Sequence, residues 1–202
     1  MPWQHSGIKA GRTWVIAPEK NLLEKRWNKL LTADKNERDN LFKNSPTGRK
    51  VHQSATQLPP SQDRLPPIIN LPKDYAVPKI IRYAFRSLDR QFIFADARQL
   101  DRPGPDLWRA HSEKQVYVTS LLNHPLGLGP SLTVSANIPD LHHFRGSYGA
   151  KEVFPLYRTS DNNNSNILPG LLDLFGKEYK FRVTPSDFLA YVYCVLAHPA
   201  FT

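Results

Sequence analysis

Arginine occurs at positions 82, 86, 90, 98, 102 and 109, and no lysine falls between the first and the last of these. The stretch opens RYAFRSLDRQFIFAD and sets its arginines among Tyr83, Phe85, Leu88, Phe92 and Phe94. Lysine serves as generic surface charge. Arginine is the residue for a flat, rigid fork of donors that must meet a carboxylate, a phosphate or a base edge, or stack on a ring. Two kinds of chemistry are therefore open, a structural clamp and a nucleic-acid surface. Asp89 and Asp96 lie within the run, and pairing with them is the expected role of Arg86 and Arg90. The clamp reading is favoured because the spacing interleaves charge with anchors. The competing reading takes Asp89, Asp96 and a histidine as an acid pair for metal-dependent hydrolysis.

Other chemistry is sparse. SPTGRK and GSYGAK each hold a glycine near a lysine, but neither has the spacing that wraps a phosphate in backbone donors. Gly127 and Gly129 lack a third glycine and a following helix, and no GxSxG elbow is present. His142 and His143 are adjacent, so regular structure points them apart, and no metal site is expected. Cys194, the one cysteine, is expected to fill core space in the last helix.

The formal charge is +9, and it is unevenly placed. Residues 1–80 carry 14 Lys/Arg against 7 Asp/Glu, and residues 81–202 carry 13 against 11. A basic balance favours a polyanionic partner. One cysteine excludes an intrachain disulfide and suits a reducing compartment. No run approaches the length of a membrane span, and the start, Met-Pro-Trp-Gln-His, is not a signal peptide. The expected location is cytoplasmic, with no membrane partner.

The elements that must position these residues give an α+β chain. Residues 13–17 read as a short strand, and Pro18 and Glu19 open a helix with Leu22, Leu23, Trp27, Leu30 and Leu31 at helical spacing. A second helix is expected over 34–43. Residues 44–79 hold seven prolines and read as an extended connector that crosses the surface on Leu65, Ile68, Ile69 and Leu71. From there on, 91–96, 115–122, 131–138 and 152–157 read as strands of a mixed or antiparallel sheet. RPGPD reads as a turn, and ILPGLLDLFG (167–176) reads as a short helix closed by Gly176. The last helix is capped by Thr184, has Pro185 at its first position and Asp187 three after the cap, and packs on the sheet through Phe188, Tyr191, Val192, Val195 and Leu196. The organisation is a helical segment over 1–43, the connector over 44–79 and an α+β domain over 80–202.

Five stretches, in order, carry a resemblance: SGIKAGRTWVI, RYAFRSLDRQFIFAD, RPGPDLWRAHSEKQVYV, IPDLHHFRGSYGAKEVFPLY and VTPSDFLAYVYCVLAHPAF. Together they resemble the C-terminal part of type ISP restriction–modification enzymes, large bacterial single chains with nuclease, translocase, adenine-N6 methyltransferase and target-recognition regions. Ser87 and Leu88 stand where that family usually has Pro and Phe. The methyltransferase, helicase and nuclease motifs are missing from this sequence. The resemblance thus implies a non-catalytic target-recognition piece, whether a fragment, a separate subunit or a truncated gene product, with residues 1–43 resembling the end of the methyltransferase region.

It also implies double-stranded DNA and the methyltransferase and translocase domains of the same system as partners. No cofactor is expected in this chain, S-adenosylmethionine and ATP belonging to the rest of the enzyme. The residues expected to meet DNA are Lys43, Arg49, Lys50, His143, Arg145, Tyr148, Lys151, Arg158 and Asn163. Phosphate contacts need positive charge, and base edges need forked donors and amides. Besides the hydrolase, the alternative is a structural domain that binds an acidic protein through the basic N-terminal half.

Overall fold

The computed structural model describes residues 1–42, 51–120, 132–144, 152–198 and 200. Its strands form three antiparallel sheets. The first has the order β1 (Ile16–Ala17), β5 (Arg90–Phe94), β4 (Ile80–Ala84), and β4 and β5 form a hairpin in which Ala84 faces Arg90. The second is a two-residue ribbon of β2 (Ala55–Thr56) and β3 (Arg64–Leu65). The third has β6 (Tyr117–Ser120) between β7 (Leu132–Ser135) and β8 (Glu152–Pro155). Helices α1 (Lys20–Thr32) and α2 (Lys35–Phe42) lie between β1 and β2, α3 (Pro105–Ala110) lies between β5 and β6, and α4 (Leu171–Tyr179) and α5 (Pro185–Leu196) follow β8. The α+β class expected from the sequence is the one observed.

Helix α1 buries Leu23, Trp27, Leu30 and Leu31, the i, i+4, i+7, i+8 stripe that the sequence shows, and leaves Leu22 at the edge. Trp27 meets Phe94 of β5 at 5.9 Å between ring centroids. Helix α5 is capped as its sequence requires. The Asp187 backbone N–H donates to Thr184 Oγ1 at 3.2 Å, and Asp187 Oδ2 accepts from the Thr184 N–H at 2.9 Å.

Several expectations are corrected. Residues 13–15 form a 3-10 turn, and only Ile16 and Ala17 pair with β5. RPGPD does not end as a turn, because Gly104 adopts a left-handed conformation and Pro105 starts α3. Helix α4 runs through Gly176 to Tyr179 and is stopped by Lys180 at φ 58°. A mid-helix glycine costs only about 1 kcal/mol, and the stacking of Phe175 on Phe188 at 6.0 Å holds the helix together. On α5 the buried residue is Leu189, which joins Val118, Leu132, Leu156 and Ile167 under the third sheet. Phe188 and Leu196 flank that contact, while Tyr191, Val195 and Cys194 are exposed. The helix does pack on the sheet, on a face turned from the expected one.

The largest correction concerns the connector. Val51, Ala55, Leu58, Ile68, Ile69 and Leu71 are buried in the same cluster as α1, α2 and β5. The expected anchors Ile68, Ile69 and Leu71 thus hold, and three further residues carry the described part of the stretch into the core, while its other positions are largely exposed. An extended chain without a sheet partner leaves carbonyls to be satisfied. Arginines satisfy them. Arg38 of α2 is buried and donates through Nη1 to the carbonyls of Ile68, Ile69 and Leu71 (3.2, 3.2 and 2.9 Å), while Nη2 reaches Leu31 O at 2.6 Å and Nε reaches Ala33 O at 3.2 Å. Arg98 is buried, grips Asp96 through Nε and Nη2 at 2.7–3.2 Å, and uses Nη1 on Pro66 O at 3.0 Å. Asp96 is thus the partner of Arg98, and neither Arg86 nor Arg90 reaches it.

Two substitutions test this. Arg98→Ala strands a fully buried carboxylate and should cost about 3–5 kcal/mol, a large share of a total of about 5–15 kcal/mol. Arg38→Lys keeps the charge but has no fork to span carbonyls on three segments, so it should also melt clearly below the parent in calorimetry.

Candidate nucleic-acid interface

The register of the third sheet brings three chain segments to one end. Ser120, the last residue of β6, faces Leu132, the first of β7, and Glu152, the first of β8. Residues 121–131 and 145–151 are therefore both joined to the sheet at this end. The expected contacts Arg145, Tyr148 and Lys151 belong to the second of these segments and lie outside the described residues, as do Lys43, Arg49 and Lys50.

The stretch leading to residue 145 is held from three sides. Ala84 of β4 donates its N–H to Ile138 O at 3.1 Å and accepts from Asp140 N–H at 3.0 Å. Ile8 does the same on the other side, donating to Pro139 O and accepting from Leu141 N–H. Gly7 is required there, because a Cβ would lie 2.6 Å from Asp140 O. The third hold is the β4–β5 turn, where Ser87 N–H donates to His143 O at 2.8 Å.

Asp140 is the polar centre of this junction. Its Oδ1 accepts from Arg86 Nη1 at 3.1 Å and from the His142 N–H at 2.7 Å, and its Oδ2 accepts from the Tyr83 hydroxyl. Burial pushes the Asp140 carboxyl up from its ordinary value, opposed by the Tyr83 hydrogen bond, the His142 N–H and Arg86. Burial and the neighbouring Asp140 push the Tyr83 phenol well above its ordinary value. Arg86 also lies over the Phe85 ring at 3.8 Å. Its expected carboxylate partners, Asp89 and Asp96, are replaced by Asp140. Arg90 clamps backbone instead, donating to the carbonyls of Arg86 and Ser87 at 2.7 and 3.0 Å, and burial lowers its pKa. Asp89 accepts from Gln91 Nε2 at 2.6 Å. Asp89 and Asp96 flank opposite ends of β5, so they do not converge as an acid pair. Among the described residues no group of three His, Cys, Asp or Glu could hold a metal ion.

His143 was expected to face DNA and is instead fully buried. Its Nδ1 lies 3.2 Å from Ala84 O and its Nε2 3.2 Å from Thr133 Oγ1, so both ring nitrogens are occupied. Arg158 and Asn163 sit in a different place. They belong to the loop that follows β8, closed by the Arg158 N–H to Asn164 O bond at 2.8 Å. Since Pro155 faces Tyr117, that loop leaves the sheet at the end opposite Ser120. Asn163 there donates to Asp161 through its backbone and side chain, both at 3.1 Å. Sequence reading missed Asp140 and Tyr83. The signal available was an aspartate inside the apolar stretch NIPDLHHF, where a lone carboxylate must find donors.

The model of the Type ISP C-terminal specificity domain matches residues 1–202. The chain belongs to this family. Among solved structures, the specificity domain is similar to part of a DrdV–DNA complex, with 17% identity and a TM-score of 0.58 over 98% of this chain and 19% of that one. It is also similar to part of the ATP-dependent Type ISP restriction-modification enzyme LlaBIII bound to DNA, with 16% identity and a TM-score of 0.57 over 96% of this chain and 13% of that one. These likenesses show a shared fold, and the specificity domain spans a fifth or less of either protein's length. No curated protein matches the chain. Among the described residues no helix is long and apolar enough to cross a membrane.

The buried histidines give a pH dependence. Burial lowers the pKa of His143, with Arg90 and Arg86 adding to the effect, and burial and Lys79 lower that of His111. The unfolded chain takes up these protons from about pH 6.5 downward, where the native state refuses them. Stability is therefore complete above about pH 6.5 and is lost as pH falls toward the depressed native values. Thermal melts should shift down between about pH 7.5 and about pH 5.5, the range around an ordinary histidine pKa, and His143→Gln should flatten part of that slope.

Proposed function

We propose that this specificity domain is the DNA target-recognition module of a type ISP restriction–modification enzyme and carries no catalysis of its own. The observation that supports it most is the family match over residues 1–202, joined to a sheet end at which β6 stops and β7 and β8 begin. Duplex DNA is the partner, positioned by phosphate contacts and read at base edges from that end. The methyltransferase and translocase domains of the same system supply chemistry and motion. S-adenosylmethionine and ATP bind there and not here, and the assembly works in the cytoplasm. The absence of convergence between Asp89 and Asp96 argues against a hydrolase built on that pair.

Alone, the domain should bind duplex DNA by charge, with dissociation constants of roughly 10⁻⁴–10⁻⁶ M at physiological salt. Fluorescence anisotropy across a salt series should give a linear fall of log affinity with log salt. Arg145→Ala or Lys151→Ala should weaken binding and reduce the slope by about 1 if the side chain meets a phosphate, with melting unchanged. Affinity that ignores salt would remove phosphate contact from the account and favour an acidic protein partner.

A further inference from the structure

Leu88 is 97% exposed at the tip of the β4–β5 hairpin. The turn that carries it is rigidly built. Arg86 and Asp89 exchange backbone hydrogen bonds at 3.2 and 3.1 Å, Ser87 N–H donates to His143 O, and Arg90 Nη1 bridges the carbonyls of Arg86 and Ser87. Two-residue hairpin loops select Gly, Asn or Asp for their backbone. Leu88 is not at positive φ, so the turn geometry makes no demand that leucine meets. The core makes none either, since the side chain touches solvent almost everywhere. A mobile loop could fold a leucine back onto the protein, but this turn holds it out.

The surroundings select the partner. Arg86, its side chain 36% exposed, and partly buried Arg90 belong to the same turn, and exposed Arg82 stacks on Phe92 at 4.6 Å on the same hairpin. An apolar tip on a hairpin that also carries three arginines suits a polyanion whose interior is stacked rings. Proteins that bend DNA use leucine and similar side chains in this way, entering between base steps while basic groups hold the phosphates. We propose that Leu88 is a wedge that the specificity domain inserts between stacked base pairs of duplex DNA, with Arg86 and Arg82 on the flanking phosphates. The proposal rests on the DNA-recognition reading above and adds a residue and a deformation to it.

The test compares a fully paired duplex with the same duplex carrying one central mismatch. A mismatched step is already partly unstacked, so a wedge binds it more tightly, by about tenfold on the scale of stacking costs. The parent chain should show that preference. L88A should lose it while keeping its melting temperature and the slope of log affinity against log salt, which the phosphate contacts set, and L88F should retain it. A 2-aminopurine placed beside the mismatch should brighten with the parent and not with L88A. If the parent shows no preference, or L88A keeps it, while salt-dependent binding persists, the wedge is overturned and target recognition survives. If neither duplex binds in a salt-dependent manner, both readings fall.

Discussion

The fold depends on guanidinium groups that take up backbone carbonyls. Much of the chain is extended without belonging to a sheet, and seven prolines between residues 44 and 79 remove donors that a ladder would use. Buried carbonyls there need partners, and a guanidinium carries five donors in one plane. Arg38 joins five carbonyls drawn from α1, the α1–α2 junction and the connector. Arg26 reaches Trp14 O and Ile16 O at 2.9 and 2.7 Å and so fixes the turn before α1. Arg98 ties Pro66 to the end of β5, and Arg90 closes the β4–β5 turn. Apolar side chains draw the connector inward, and without these arginines its buried carbonyls would lack donors.

The same device builds the recognition end. Arg90 stiffens the turn, the turn holds His143 O, and His143 in turn locks β4 to β7 through Ala84 and Thr133. Asp140 closes the circuit by gathering Tyr83, Arg86 and the His142 N–H. The segment that the proposed function assigns to DNA thus follows a frame whose described polar groups are almost all engaged. Preorganisation of this kind lets binding energy go to the ligand instead of to ordering the loop.

Much of this was legible in the sequence, and the failures have physical causes. The stripe on α1, the Thr184–Asp187 box and the four strands follow from local periodicity and capping, which the chain obeys. The depth of the connector is not legible locally, because prolines report lost donors while the donors that replace them come from Arg38 and Arg98, far along the chain or on another element. Histidine in a loop motif reads as a contact. Only the tertiary pairing with Ala84 and Thr133 shows that its polarity is spent inside. Arg86 and Arg90 were read as clamps, and they are, but on Asp140 and on backbone carbonyls, partners that sequence neighbours do not reveal. The rotation of α5 about its axis depends on where α4 lies, and the apolar composition of that helix on all sides left its buried face undetermined.

The division between the two basic residues then accounts for arginine at 86, 90 and 98 in the run from Arg82 to Arg109, where Arg82, Arg102 and Arg109 are exposed. Every described lysine except Lys9, which pairs with Asp101 at 2.7 Å, is exposed. Arg12, Arg26, Arg38, Arg86, Arg90, Arg98 and Arg158 are at least partly buried. A lysine in those places would bring a strongly hydrated point charge where the fold offers flat rows of carbonyls and ring faces. The net charge therefore overstates the field that DNA would meet from the described surface, because the innermost guanidinium groups already face protein oxygens. Arginines that end on the surface of the same hairpin, Arg82 and in part Arg86, are left at the border between frame and ligand. There a guanidinium can keep one edge on protein, as Arg86 does on Asp140, and turn the other toward phosphate, so that a structural clamp and a DNA contact become two faces of one side chain.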